Sequence, residues 1–278
     1  MRTEFLTIFW RDMLKFFRIR SMLFTSLVQP AIWLALYGLS MSSNFALLMP
    51  GGSPPPGVLS VSYLTFMAAG VVSLTILFTC LYSGITLQFD KEFGLMKEMV
   101  ASPLPRSHII WGLSLSGVAK SLIQSTVIFA FGYVLGVRFF EGFTFASALL
   151  SILGILFFVV LLALGLLFLS STIALRLESH EGLQGVITLL SLPLFFASNA
   201  LYPITSLPVA IRMASYINPL SHFINGFRCF SLGSDFYAFG IRYTYSPYDI
   251  LISIAFLIGF DVVTYLLALR TIKKAKIV

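Results

Sequence analysis

From Ser21 to Phe89 the chain carries no charged residue, a run of 69 positions. A stretch of that length cannot coat a water-facing globule. Soluble domains carry about 25% charged residues, whereas this 278-residue chain carries 10%, with 58% hydrophobic residues and a mean hydropathy of +0.95. The balance excludes a soluble fold, a nucleic-acid binder and a disordered tail. A polytopic α-helical membrane protein remains. In that class the formal net charge of +7 marks membrane anchoring, because excess Lys and Arg gathers at cytoplasmic helix ends.

At 1.5 Å per residue, about 20 apolar residues cross the hydrocarbon layer. Six stretches qualify: 22–41, 61–85, 109–136, 144–174, 183–201 and 250–269. The first is too long for a signal-peptide core and reads as a retained span. The fourth exceeds the bilayer and must tilt, kink or project. Pro30 and Pro193 fall inside the first and fifth spans, where each removes a helix hydrogen bond and predicts a kink. With the N-terminus cytoplasmic, the inside segments hold 13 basic residues, from Arg2 to Lys276, and the outside segments hold four: Arg138, Arg212, Arg228 and Arg242. Both termini are therefore expected in the cytoplasm. The whole chain, 1–278, reads as one transmembrane domain. Cys80 and Cys229 lie in unlike surroundings and are expected to be unpaired apolar filler.

The outside loop before the second span contains Gly51, Gly52 and Pro54 to Pro56, so an irregular loop is expected. The long outside segment 202–248 is not hydrophilic. Pro208 and Pro219 each open a short apolar stretch in a favoured helix-start position. These stretches are too short to span and read as re-entrant or interfacial helices. The fold class is an all-α membrane protein with six transmembrane helices, an N-terminal interface helix over 1–20 and a re-entrant pair before the last span.

Two segments are candidates for function. In the N-terminal stretch Glu4, Thr7, Arg11, Lys15 and Arg18 fall within an arc of about 80°. An amphipathic helix of this kind lies in the membrane interface, as an anchor or as a contact surface for a cytoplasmic partner. Between spans two and three, segment 90–103 holds Asp90, Lys91, Glu92, Lys97 and Glu98. Phe93, Met96 and Val100 are spaced as an apolar stripe on a short helix, which Ser102-Pro103-Leu104-Pro105 ends. Such an element can act as a stiff lever on the spans beside it, or it can be a solvated loop.

Glu92-Phe93-Gly94, then Lys97-Glu98-Met99, Ser102-Pro103 and Arg106 resemble the first cytoplasmic loop of type-2 ABC transporter permeases, the exporter subunits related to daunorubicin-resistance and nodulation-factor export permeases. A second match is Tyr202-Pro203 to Leu207-Pro208, followed by Asn218-Pro219-Leu220 to Arg228, which resembles that family's external segment before the last span. The order of elements agrees along the chain. The resemblance implies a homodimeric transmembrane half of an exporter, embedded in the lipid of the plasma membrane and served by two copies of a separate ATP-binding subunit. It implies that Glu92, Phe93, Gly94, Met96, Lys97, Glu98 and Val100 form the coupling helix, that Arg11, Lys15 and Arg18 lie on the flanking interface helix, and that Pro208, Asn218, Pro219 and Arg228 lie near the outer exit. No cofactor is expected on this chain, since it has no G-x-x-x-x-G-K-[ST] phosphate loop. ATP and Mg would enter through the partner.

Lys120 and Asp261 each lie about 17 Å into a span. A charge at that depth costs roughly 2.5–3.5 kcal/mol and faces the protein interior. Their opposite signs suggest an ion pair, within or across protomers; separate satisfaction of each, or contact with substrate, are the alternatives. Gly132 and Gly136 form a small-residue helix-contact pattern. His180-Glu181 begins an H-E-x-x-H metalloprotease pattern but lacks the second histidine, and Gly112-Leu-Ser114-Leu-Ser116 fails the G-x-S-x-G pattern at its last residue. Both sites read as ordinary polar positions. A membrane enzyme is a weak rival. An ion-coupled secondary transporter or channel using Lys120 and Asp261 is the stronger one, although the internal repeats it favours are not evident.

Overall fold

The computed structural model describes residues 4–48, 58–101 and 104–274. The Gly/Pro cluster of the first loop and Ser102-Pro103 lie outside these residues. Helix α1 (Glu4–Arg18) precedes α2 (Arg20–Ile32), with Ile19 in a non-helical conformation between them. Pro30 lies inside α2 and is followed by a π-helical stretch, Trp33–Gly38, that runs on into α3 (Leu39–Leu48). A proline lacks an amide hydrogen, so one helical carbonyl of α2 loses its donor there.

Then come α4 (Tyr63–Glu92), α5 (Leu95–Ala101), α6 (Arg106–Val134), α7 (Phe145–Arg176) and α8 (His180–Phe196). A short 3-10 turn, Ile204–Ser206, then leads to helices α9 (Val209–Tyr216), α10 (Pro219–Leu232) and α11 (Pro247–Lys274). Helices α4, α6, α7 and α11 are each long and apolar enough to cross a membrane. Their 28 to 32 residues give lengths of about 42–48 Å. Helix α8 is shorter than its expected span: Pro193 sits in its last turn and residues 197–199 form a turn. The side-chain amide of Asn218 caps its end by donating to Leu194 O at 2.6 Å.

Helix α4 is the axis of the bundle. Its apolar window is wholly buried, and it packs against α6, α7, α8 and α10. Helix α11 lies on the outside of α7, with Leu251, Ile252, Val262 and Val263 exposed. The exposed apolar side chains of α7 and α11 suit a lipid surround, where outward apolar groups cost nothing. Gly226 lets α10 approach α7 closely; a Cβ there would lie 2.3 Å from the Phe158 ring.

The all-α expectation needs one correction. Strands β1 (Leu59–Ser60), β2 (Asp235–Ala238) and β3 (Ile241–Thr244) form a small sheet in the order β1-β2-β3. Strand β1 runs parallel to β2 with Leu59 opposite Phe236, and β2–β3 is an antiparallel hairpin pairing Asp235 with Thr244 and Ala238 with Ile241. Its two-residue turn, Phe239-Gly240, has both φ angles positive (54° and 75°), the geometry that matches strand twist. Phe239 holds that conformation while its ring packs edge-on to Phe66 and Tyr63. Of the Gly132/Gly136 pattern only Gly132 lies on α6, where a Cβ would come 3.4 Å from the Leu34 side chain; α6 ends at Val134, and Gly136 lies beyond it with φ of +97°.

Candidate functional site

The expected lever forms, with altered boundaries. Helix α4 runs seven residues past its expected end and absorbs Asp90, Lys91 and Glu92. It stops where Phe93 N–H donates to Phe89 O and Gly94 N–H to Lys91 O. Gly94 has φ of +80°, a left-handed conformation that costs a residue with a Cβ roughly 1–2 kcal/mol. Helix α5 follows at once, its first turn bonded to Gly94 O. Met96 is buried and Val100 half-buried, while Glu92, Lys97 and Glu98 face outward. Phe93 does not share the buried stripe. It belongs to the turn and is 76% exposed, because the left-handed glycine rotates α5 away from the axis of α4.

Beneath this turn lies a charged hub. Asp90 is 1% exposed. Its carboxylate accepts from Arg11 Nη2 and, at 2.8 Å, from Lys15 Nζ. Lys91 Nζ donates to Leu177 O at 2.8 Å and Gln88 Nε2 to Glu178 O at 3.1 Å. Phe89 stacks on His180 with centroids 4.5 Å apart. So the end of α4 is tied to α1 on one side and to the α7–α8 junction on the other. His180 is thereby an aromatic packing partner rather than a solvated turn residue. Arg106 Nη1 donates to Ile272 O and Lys273 O, both at 3.0 Å, satisfying carbonyls that the last turn of α11 leaves open.

Helix α1 is amphipathic in a different sense from the expected one. Ile8, Asp12 and Phe16 form the stripe buried against α6. Arg11 and Lys15 flank that stripe and reach Asp90. The outward face is Leu6, Trp10, Leu14 and Phe17, all exposed, and Arg18 is exposed beside it. A helix lying against a bilayer presents such an apolar face.

Within the protomer Lys120 and Asp261 do not pair. Lys120 Nζ lies 2.5 Å from Asp12 Oδ2, an oxygen that also accepts from Ser116 Oγ. Asp261 packs against Gly165 of α7 instead. Similar depth does not bring the two together within one protomer: the spans bearing Lys120 and Asp261 present those positions to different neighbours. Asp12 was the missed member, and Asp90, expected among the charges of a wet segment, is buried and ion-paired instead. The signal for Asp12 was an acid on an apolar helical stripe, in a chain whose mid-span lysine needed a counter-charge.

At the opposite end, Pro208 precedes α9, and Pro219 opens α10 behind Asn218, whose Oδ1 accepts from Leu220 N–H at 3.0 Å. Arg228 is fully buried inside the protomer. Its Nη2 donates to Phe66 O, Asn199 O and Ala200 O at 3.1, 2.9 and 3.2 Å. The guanidinium lies 3.4 Å from the Phe66 ring centroid, a cation–π contact. Arg228 therefore fastens α10 to α4 and to the turn after α8. Cys80 and Cys229 are free thiols.

Comparison with known proteins agrees with this architecture. The ABC-2 type transporter family matches residues 3–229. A Cyanophora paradoxa protein named as a transport permease, ycf38, is 31% identical over 255 residues, covering 90% of this chain and 82% of its own. The inner membrane transport permease YadH of Escherichia coli is 26% identical over 213 residues, 75% of this chain and 76% of its own. A Mycobacterium tuberculosis protein named as a doxorubicin-resistance ABC transporter permease, DrrC, is 25% identical over 177 residues, 64% of this chain and 59% of its own. Permeases of this family normally pair with an ABC ATPase subunit and are not themselves enzymes. With a matched region that runs from α1 into α10, the chain belongs to the ABC-2 type transporter family and is a multi-pass membrane permease.

Proposed function

We propose that the chain is the membrane half of an ATP-driven exporter. Two copies enclose the pathway, and two copies of a separate nucleotide-binding subunit bind ATP and Mg. In this reading there are six spans, with the α2–α3 run as the first and α8 as the fifth, and both termini lie in the cytoplasm of a plasma membrane. The re-entrant α9 and α10 sit toward the exit. The substrate class is an amphiphilic, lipid-linked or polysaccharide molecule.

One observation carries the reading. The exposed Glu92-Phe93 turn and the outward Lys97 and Glu98 project from the end of α4, the helix whose apolar window is wholly buried in the bundle. A displacement of the turn is therefore passed to every helix packed on α4. Asp90, held by Arg11 and Lys15, makes α1 move with it. Phe93 is an apolar knob on a wet surface, the kind of anchor that dominates protein interfaces, and Lys97 and Glu98 add paired charge for specificity.

The test is co-purification with the neighbouring ABC ATPase, followed by ATPase assay. Phe93→Ala and Glu98→Lys should abolish capture or reduce stimulated ATPase about tenfold or more, while the permease still elutes as a single folded species. Transport driven by an ion gradient in vesicles without any ATPase would overturn the reading in favour of a secondary transporter.

A further inference from the structure

A cavity of about 790 Å³ lies between α1, α2, α4 and α6, within the size range of small-molecule sites. Along α4 its wall runs from Phe78 to Phe93, about 22 Å of helix. One leaflet's hydrocarbon is roughly 15 Å deep, so the space can take an extended lipid chain and the head group beyond it. The surface is largely apolar, with Phe16, Phe78, Tyr82, Ile85 and Phe89 in the walls.

The charges fall into two sets. At the Phe78 end Lys120 is neutralised by Asp12, and Gln124 accepts from Thr79 Oγ1 and donates to Ser26 Oγ. That end carries no net charge. At the Phe93 end the single carboxylate of Asp90 holds both Arg11 and Lys15. The next charges on α4 leave the count unchanged: Lys91 donates to Leu177 O, Glu92 accepts from Gln88, and the two cancel. One cation is left over. Lys15 lines the cavity with 35% of its side chain exposed. An ammonium carries three N–H donors, and Asp90 takes one. Thr86 and Ser83 lie one and two turns before Asp90 on the same face of α4 and line the cavity with it. Here an apolar helix ends in a cluster of charges, the depth at which lipid head groups lie. The exposed Leu6, Trp10, Leu14 and Phe17 of α1 set that helix in the same interface.

We propose that this cavity holds an anionic glycerophospholipid of the surrounding leaflet. Its phosphate lies against Lys15, its ester oxygens accept from Thr86 and Ser83, and one acyl chain runs past Tyr82 to Phe78. The inference goes beyond the exporter reading and needs only that the chain is a membrane protein. The lipid stands between α1 and the charged end of α4, so it braces the Phe93 turn from behind.

The experiment places the full chain in phosphatidylcholine nanodiscs. These are doped either with phosphatidylglycerol carrying a diazirine on one acyl chain or with phosphatidylcholine carrying the same chain. Labelled peptides are mapped by mass spectrometry. Phe78 is 6% exposed and lines the cavity, so label on it reports lipid inside the bundle rather than around it. Phosphatidylglycerol should label that stretch about fivefold more than phosphatidylcholine, the scale of one unmatched cation near a membrane surface. Lys15→Gln, which leaves Arg11 and Asp90 as a neutral pair, should remove the preference, and Lys15→Arg should keep it. Ser83→Phe with Thr86→Phe, which fills the middle of the cavity, should abolish label at Phe78. Equal labelling by the two head groups, a preference that survives Lys15→Gln, label that persists in the filled variant, or no label at Phe78 would overturn the proposal. So would displacement by inorganic phosphate at the same concentration, which would make this a free-anion site. Because no ATPase is present, failure here is separate from failure of the exporter reading, which shows only in the co-purification assay.

Discussion

Replacing Lys120 by Met should be among the most damaging single changes in the membrane core, and its rescue should name its partner. Lys120 is 8% exposed and Asp12 1%. The substitution removes the cation 2.5 Å from Asp12 Oδ2 and leaves a buried carboxylate with only the Ser116 hydroxyl. Removing one member of a buried pair costs about 3–5 kcal/mol, because the remaining charge keeps its desolvation penalty. That is two to nearly four powers of ten in the folded-to-unfolded ratio. Replacing both members by apolar groups of similar size removes the penalty with the charge, and such double changes are often neutral. Lys120→Met should therefore depress thermal stability strongly in nanodiscs, Asp12→Leu should do so as well, and the double variant should recover most of the loss. The assay is a double-mutant cycle read by loss of monodisperse protein on heating. A parallel cycle with Asp261→Leu should be additive. Coupling of Lys120 to Asp261, with none to Asp12, would refute the reasoning.

Gly94→Ala should leave the bundle folded but lower stimulated ATPase, since a Cβ strains the left-handed turn by about 1 kcal/mol or more; the complex's turnover measures it. Arg228→Met should lower the melting temperature markedly by freeing three buried carbonyls, and Arg228→Lys should rescue little, because an ammonium cannot reproduce the planar stack on Phe66. In the hairpin, the hydrogen bonds from Arg242 hold the Asp235 carboxyl below the usual carboxylate range. A depressed carboxyl contributes stability above its unfolded pKa and loses it as pH falls through its folded value. Protease cleavage within 235–244 should thus be unchanged from neutral pH down to about 5 and increase only in stronger acid; Asp235→Asn should abolish that acid step. Increased cleavage already near neutral pH would count against the pairing.

Much of the scaffold was legible because lipid imposes a simple code: long apolar runs became α4, α6, α7 and α11, and Pro208 and Pro219 announced α9 and α10. The lever was legible too, through the Met96 and Val100 spacing and the charges beside it. What escaped was pairing. Hydropathy gives depth along a helix but not azimuth, so Lys120 and Asp261 looked matched although they face different helices. Asp12 was hidden because the polar arc of α1 drew attention to its flank rather than to the acid on its buried stripe. The hairpin escaped because its strands, Asp235–Ala238 and Ile241–Thr244, are only four residues each inside a segment read as helical, and their support, β1, lies far away in sequence.

That distance has a temporal consequence. Arg228 and Phe66, which it binds, are separated by 162 residues. At roughly 5–20 residues per second of synthesis, the top of α4 waits some 8–30 s for its guanidinium and its strand partner. During that interval α4 and α6 are in the bilayer while the carbonyl of Phe66 and the edge of β1 have no native mate. The final closure of the bundle is thus a late event, made when α10 and the hairpin emerge, and a ribosome stalled before residue 228 should leave an inserted but unlocked protein.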